Sequence, residues 1–295
     1  MGLSALLLVS LSACSPAPGR SSDGKPKVVA AENFWGSLAT QLGGARVEVT
    51  SIITNPNADP HDYEPTTADA RSFASAAFVI VNGIGYDPWA DRLLAANPVP
   101  GRAVLNVGTL VGVPAGGNPH RWYSPPDVQR MLDAITARYK RLDPMGVSYF
   151  DQQRSSLETK GLAGYQRLIS DIRARYAGMP AGASESIFAL MTPALGLNLL
   201  TPPSFLTAIS EGTEPTTADK AAIDQQIQSH QIKVYVYNRQ NATPDVQRQI
   251  EEARGAGIPV ATITETLAPA GASFQAWQVR QLQGLEAALS QAMAP

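Results

Sequence analysis

Cysteine is nearly absent: the 295-residue chain has one, Cys14, so no disulfide framework can staple it. Histidine is scarce too, at three residues, which makes each position informative. Charge is sparse and balanced, with a formal net charge of −2, 16% charged residues and no basic runs; this argues against nucleic-acid binding. Beyond residue 27 no apolar run approaches the length of a membrane helix. HExxH, Gly-x-Ser-x-Gly, a P-loop and a Cys-His pair are all missing, and with them the signatures of the common hydrolases.

What is present begins with an export signal over residues 1–13. The apolar run 3–11 is too short to span a bilayer and leads into Leu11-Ser12-Ala13-Cys14. Small residues ahead of a lone cysteine resemble the bacterial lipobox, which implies cleavage before Cys14 and a lipid anchor on it. An ordinary signal peptide is the alternative. No Lys or Arg precedes the run, so the true start is expected upstream of Met1. Position 6 is Leu where a myristoylation site needs Ser or Thr. Residues 14–27 are rich in Pro, Gly and Ser and read as a lipidated, flexible tether.

About 268 residues remain, enough for two lobes. Short β-rich runs alternate with helical patterns, which predicts parallel sheets flanked by helices. Strands are expected at 28–31, 47–53, 77–82 and 103–107. Helices are expected from Asn33, as N-cap, to Gly43-Gly44, and at 66–74, 87–96 and 125–142. Residues 148–177 form one polar amphipathic helical pattern without Pro, suited to a connecting rod. In the second half, 187–195 reads as a helix and 198–201 as a short strand. Helices at 217–230, 245–256 and 273–293 alternate with strands at 233–237 and 260–263. The Pro-Ala-Gly composition of 178–183 leaves the first strand of this half undefined. The expected architecture is an N-terminal lobe at 28–147, a connecting helix at 148–177 and a C-terminal lobe at 178–295.

Two of the three histidines sit in near-copies of one loop: Asp59-Pro60-His61-Asp62-Tyr63-Glu64-Pro65 and Asn118-Pro119-His120-Arg121-Trp122-Tyr123-Ser124-Pro125. A preceding proline restrains the backbone and yields a stiffly presented imidazole, the commonest ligand for transition metals. Both loops follow predicted strands, where open α/β sheets bind ligands. The second half offers two polar strand-end segments of its own, Ser184-Glu185-Ser186 and Thr264-Glu265-Thr266. Tyr63, Trp122 and Tyr123 are expected to wall the crevice, with Asp62 and Glu64 supporting the ligands. His230, near a helix end, reads as structural.

These residues carry a family resemblance. The chain resembles the metal-binding solute-binding lipoproteins of bacterial ABC importers, the cluster that takes up manganese, zinc or iron(II). The markers are DPHDYEP around His61, NGIGYDPW at 82–89, NPHRWYSP around His120, Ser184-Glu185 ahead of Phe188, EGTEPTTAD at 211–219 and Glu265 after the last strand. The resemblance implies two α/β lobes joined by one long helix, with the metal held between them by His61, His120, Glu185 and Glu265. Glu265 stands where the family usually has Asp and is one methylene longer. It also implies a lipid-anchored, extracytoplasmic monomer that works with a membrane permease and its ATPase.

Two imidazoles and two carboxylates form a hard site, capable of coordination above four, which favours Mn2+ over tetrahedral Zn2+; Fe2+ is also compatible. Glu185 has a plainer reading as a carboxylate at a helix N-terminus. A metal-dependent hydrolase would need an open coordination position and a poised base. A surface adhesin is the other alternative.

Overall fold

The computed structural model describes residues 19–56, 58, 60 and 63–294. Two four-stranded sheets organise the chain, and both are wholly parallel. The first contains β1 (Lys27–Glu32), β2 (Glu48–Ile53), β3 (Phe78–Val81) and β4 (Ala103–Asn106), in the order β2-β1-β3-β4. The second contains β5 (Pro180–Ala183), β6 (Asn198–Leu199), β7 (Val234–Asn238) and β8 (Val260–Ile263), in the order β6-β5-β7-β8. The order is the same in both. Register is set by buried apolar residues, with Val28, Val29 and Ala30 paired to Phe78, Val79 and Ile80. In each sheet the connections reverse direction beside the first strand, which places a crevice at the carboxyl ends.

Most expected elements are present with small boundary shifts, and the departures have local causes. Asn33 is the first helical residue of Asn33–Gly43 and not its cap; Glu32 precedes it. Instead Asn33 Oδ1 accepts from the Leu267 N–H at 3.4 Å, a contact between the halves. The helix expected at 187–195 breaks into a 3-10 turn, Phe188–Leu190, and a short helix, Thr192–Leu195, with Pro193 in its first turn. The tether reading fails from Gly19 onward. Arg20 bridges to Pro26, and its guanidinium donates to the Leu142 carbonyl at 3.0 Å. Gly19 (φ 83°) lies against Ala77, where an added Cβ would come within 2.8 Å of the Ala77 Cβ. Cys14 and the signal segment lie outside the described residues.

Between the sheets the chain is helical over Val147–Ser156 and Ala163–Tyr176, with a π-helical turn at Leu157–Gly161. The Leu162 N–H reaches the Leu157 carbonyl, five residues back, at 2.7 Å. The wider turn resets the helical phase, so that Leu157, Leu162, Tyr165, Ile172 and Tyr176 are all buried. The main hydrophobic cluster passes through these residues and includes side chains of both halves, from Val28 and Phe34 to Val236 and Trp277. Smaller clusters lie under the outer helices of each half, around Phe73 and Trp89 and around Ile223 and Ile250. Among the described residues no helix is long and apolar enough to cross a membrane.

Candidate metal centre

The best-defined candidate ligand is His120. The loop after β4 carries it into a buried position, 1% exposed, beneath Trp122 and Tyr86. Trp122 is fixed in turn by stacking on Phe34, with ring centroids 3.9 Å apart. The tautomer follows from Asn118. Its Nδ2 donates to the Ser186 carbonyl at 2.7 Å, and a carbonyl can only accept. The other amide atom, 2.9 Å from His120 Nδ1, is therefore oxygen, and Nδ1 carries the proton. In the neutral ring this leaves the Nε2 lone pair available to a metal, and Nε2 faces Glu265 Oε1 at 3.6 Å. A ligating imidazole oriented by a hydrogen bond at its other nitrogen is the usual arrangement around metals.

Glu265 follows β8. Its Oε1 accepts from Tyr86 Oη at 2.9 Å and its Oε2 from Asn238 Nδ2 at 3.4 Å. Gln240 Oε1 holds its backbone N–H at 2.6 Å. Glu185, 1% exposed, follows β5 in a bend, not at the start of a helix. A helix N-terminus therefore does not account for this carboxylate. Asn241 Nδ2 donates to its Oε2 at 2.9 Å. Both carboxylates act on one phenol: Tyr123 is held well above the usual range for tyrosine, by burial first and then by the charges of Glu185 and Glu265. The described donors around these acids are neutral amides and hydroxyls plus one imidazole.

His61 and Asp62 lie outside the described residues. Among the described residues alone, no three His, Cys, Asp or Glu side chains are grouped closely enough to hold a metal. Glu64 is exposed. Trp122 and Tyr123 pack around the site as expected, Tyr123 donating to the Thr264 carbonyl at 2.7 Å. Tyr63 does not. Its ring rests on Trp89 with centroids 4.9 Å apart, and its hydroxyl donates to Asp69 at 3.0 Å, because Trp89 and Phe73 form a separate cluster there. His230 is exposed beyond the end of its helix.

Sequence reasoning missed the groups that aim the candidate ligands. The NGIGYDPW stretch is a tight loop in which Gly83, Ile84 and Gly85 all have positive φ. An added Cβ on Gly83 would meet the Asn106 side chain at 2.5 Å, so the loop needs glycine there. Asp87 closes it, accepting from the Asn82 and Gly83 N–H groups, each at 2.7 Å. This presents Tyr86 to Glu265 and lets Asn82 Nδ2 hold the Pro119 carbonyl, next to His120, at 2.9 Å. At the corresponding strand end of the second sheet, Asn238 supports Glu265. Glu32 is fully buried beside Asp87. Burial, then the Asp87 charge, pushes the Glu32 carboxyl well up, and burial raises that of Asp87 to about 6.

Residues 28–288 match the family model described as ZnuA, zinc-uptake complex component A, periplasmic. The manganese-binding lipoprotein MntA of Halalkalibacterium halodurans is 28% identical over 137 residues, 45% of each chain. The iron-binding protein YfeA of Yersinia pestis is 26% identical over 163 residues, 53% of this chain and 51% of that one. The chain thus matches about half the length of these curated relatives. A manganese-bound point mutant of a periplasmic metal-binding protein from Candidatus Liberibacter asiaticus superposes with a TM-score of 0.75 at 18% identity. That match covers 90% of this chain and 100% of the other, and it establishes the fold.

Proposed function

Because the chain belongs to the family of periplasmic zinc-uptake component A proteins, we propose that it captures a divalent transition metal and delivers it to an ABC importer. Mn2+ is the favoured cargo, with Zn2+ and Fe2+ as competitors. The observation that carries the reading is the His120 tautomer: Asn118 holds the proton on Nδ1, and Nε2 faces Glu265 at 3.6 Å. His61, from the other Pro-His loop of the first half, and Glu185, from the other strand-end loop of the second, complete the set. Four protein ligands close the coordination shell, which suits carriage and leaves no open position for a hydrolytic water. Relatives named for manganese and iron agree with a site of two imidazoles and two carboxylates.

In this reading the chain is two lobes, 28–147 and 178–295, joined by the helical segment 148–177. Cys14 anchors it to the extracytoplasmic face of the cell membrane as a monomer, and its partners are a permease and an ATPase. Calorimetry with Mn2+ and Zn2+ on His61→Ala and His120→Ala tests the site. Loss of one imidazole should weaken binding by at least about ten- to a hundredfold, the range reached even by loss of supporting groups. Unchanged affinity in both variants would refute it.

A further inference from the structure

Hydrogen bonds between the two halves flank the candidate metal site. From the loops after β3 and β4, Tyr86 donates to Glu265, Asn118 to the Ser186 carbonyl and Tyr123 to the Thr264 carbonyl. On the side of β2 the link comes from the second half. Gln240 stands in the 3-10 turn Arg239–Asn241, directly after β7. Its Nε2 donates to the carbonyl of Pro56, three residues beyond the end of β2 and five before His61. The amide fits only one way round. Its Oε1 meets the N–H groups of Glu265 and Thr266 at 2.6 and 3.0 Å, which need an acceptor, so Nε2 faces the Pro56 carbonyl, which needs a donor. Nε2 also donates to Thr266 Oγ1 at 2.9 Å, and the Gln240 N–H donates to Asn238 Oδ1 at 3.0 Å.

Among the described residues the neighbouring amides serve the second half alone. Asn238 Nδ2 reaches Glu265, and Asn241 Nδ2 reaches Glu185 and the Ile209 carbonyl. Gln240 instead joins the loop of Glu265 to the segment that leads into the loop of His61. A cavity of about 750 Å³ lies here, and Pro56, Gln240 and Glu265 all line it. The link therefore borders the space beside Glu265 that an ion leaving the site would enter. A neutral amide exerts no long-range pull on a cation, so its contribution falls on how long a bound ion stays.

We propose that Gln240 is a positioning residue that fastens the His61 and Glu265 loops to each other and slows release of the metal. The inference rests on metal capture by these ligands. The test is stopped-flow release of Mn2+ into an excess of fluorescent chelator, with the association rate measured separately. It compares the wild type, Gln240→Ala and Gln240→Glu, each alone and combined with His61→Ala.

Gln240→Ala loses every side-chain bond and should release Mn2+ about tenfold faster, with association changed by less than about twofold. Gln240→Glu separates the link from the rest. A carboxylate still accepts from the Glu265 and Thr266 N–H groups, and the Thr266 hydroxyl can turn to donate, but nothing remains to bond the Pro56 carbonyl. The added charge acts with or without His61 and cancels in the double-mutant cycle. A coupling of about fivefold between Gln240→Glu and His61→Ala is expected, the scale of one net hydrogen bond. Unchanged release in Gln240→Ala, slower association in place of faster release, or additive effects of Gln240→Glu and His61→Ala would overturn this inference alone. A wild type that does not bind Mn2+, or His61→Ala that binds it as tightly, would overturn the metal-capture reading and this inference with it.

Discussion

Glu32→Gln should stabilise the metal-free protein at pH 8 and have no effect at pH 4. In the folded chain the Asp87 carboxyl is raised from 3.8 to about 6, chiefly by burial, with the Asn82 and Gly83 N–H groups opposing the rise and Asp91 adding to it. Glu32 is raised well above its usual range, by burial first and then by the Asp87 charge. The native state therefore holds protons that the unfolded chain has already released between about pH 4 and 6. Stability falls as pH rises through that window and is fully present below it. A shift of about two units corresponds to an upper limit of about 3 kcal/mol for Asp87. The glutamine amide would keep the shape, carry no charge and offer an N–H to the Asp87 carboxylate, recovering about 1–3 kcal/mol at pH 8. Urea denaturation in the presence of a chelator, at unit pH steps from 4 to 8, measures the difference. An equal gain at every pH, or a loss at pH 8, would refute the claim that burial and the Asp87 charge oppose the ionisation of Glu32.

Asn118→Ala should weaken Mn2+ binding by about tenfold while circular dichroism stays unchanged, because His120 loses the group that fixes its tautomer; retained affinity would show that the Ser186 hydroxyl, 3.3 Å from Nδ1, orients the ring alone. Glu185→His gives three imidazoles, and in a competition titration at fixed pH its preference for Mn2+ over Zn2+ should fall. An unchanged ratio would remove Glu185 from the metal. Intact-mass analysis of the membrane fraction should find a mature chain beginning at acylated Cys14, and a soluble form beginning elsewhere would contradict the anchor.

The parallel βα rhythm was legible because β1, β3 and β7 are runs of buried apolar residues bounded by helical patterns. The strand Pro180–Ala183 was not: Pro-Ala-Gly-Ala has no β-branched residue, and it is a strand because Val234, Tyr235 and Val236 pair along it. His120 was legible as a candidate from its loop alone. Asn118 was not, since its role depends on the Ser186 carbonyl, 68 residues distant in the chain. Tyr63 was misplaced because an aromatic beside a Pro-His motif does not reveal that Trp89 lies within packing distance. Glu185 drew notice as a carboxylate after a strand, but its setting was misread: a helix start was expected where the chain makes a bend.

The shared strand order of the two sheets extends to how they support the site. Asn82 stands directly after the third strand of the first sheet, Asn238 ends the third strand of the second, and each amide steadies the loop that follows the fourth strand. One secures Pro119 beside a histidine; the other secures a glutamate. Apart from the paired Pro-His loops, which both lie in the first half, nothing in the sequence displays a repeat, yet the geometry is that of one module used twice. Duplication followed by fusion would produce this pattern. It would also account for the different donors of the proposed site, nitrogen in one half and oxygen in the other: after fusion each copy's ligand could change alone, because its tether belonged to the same copy.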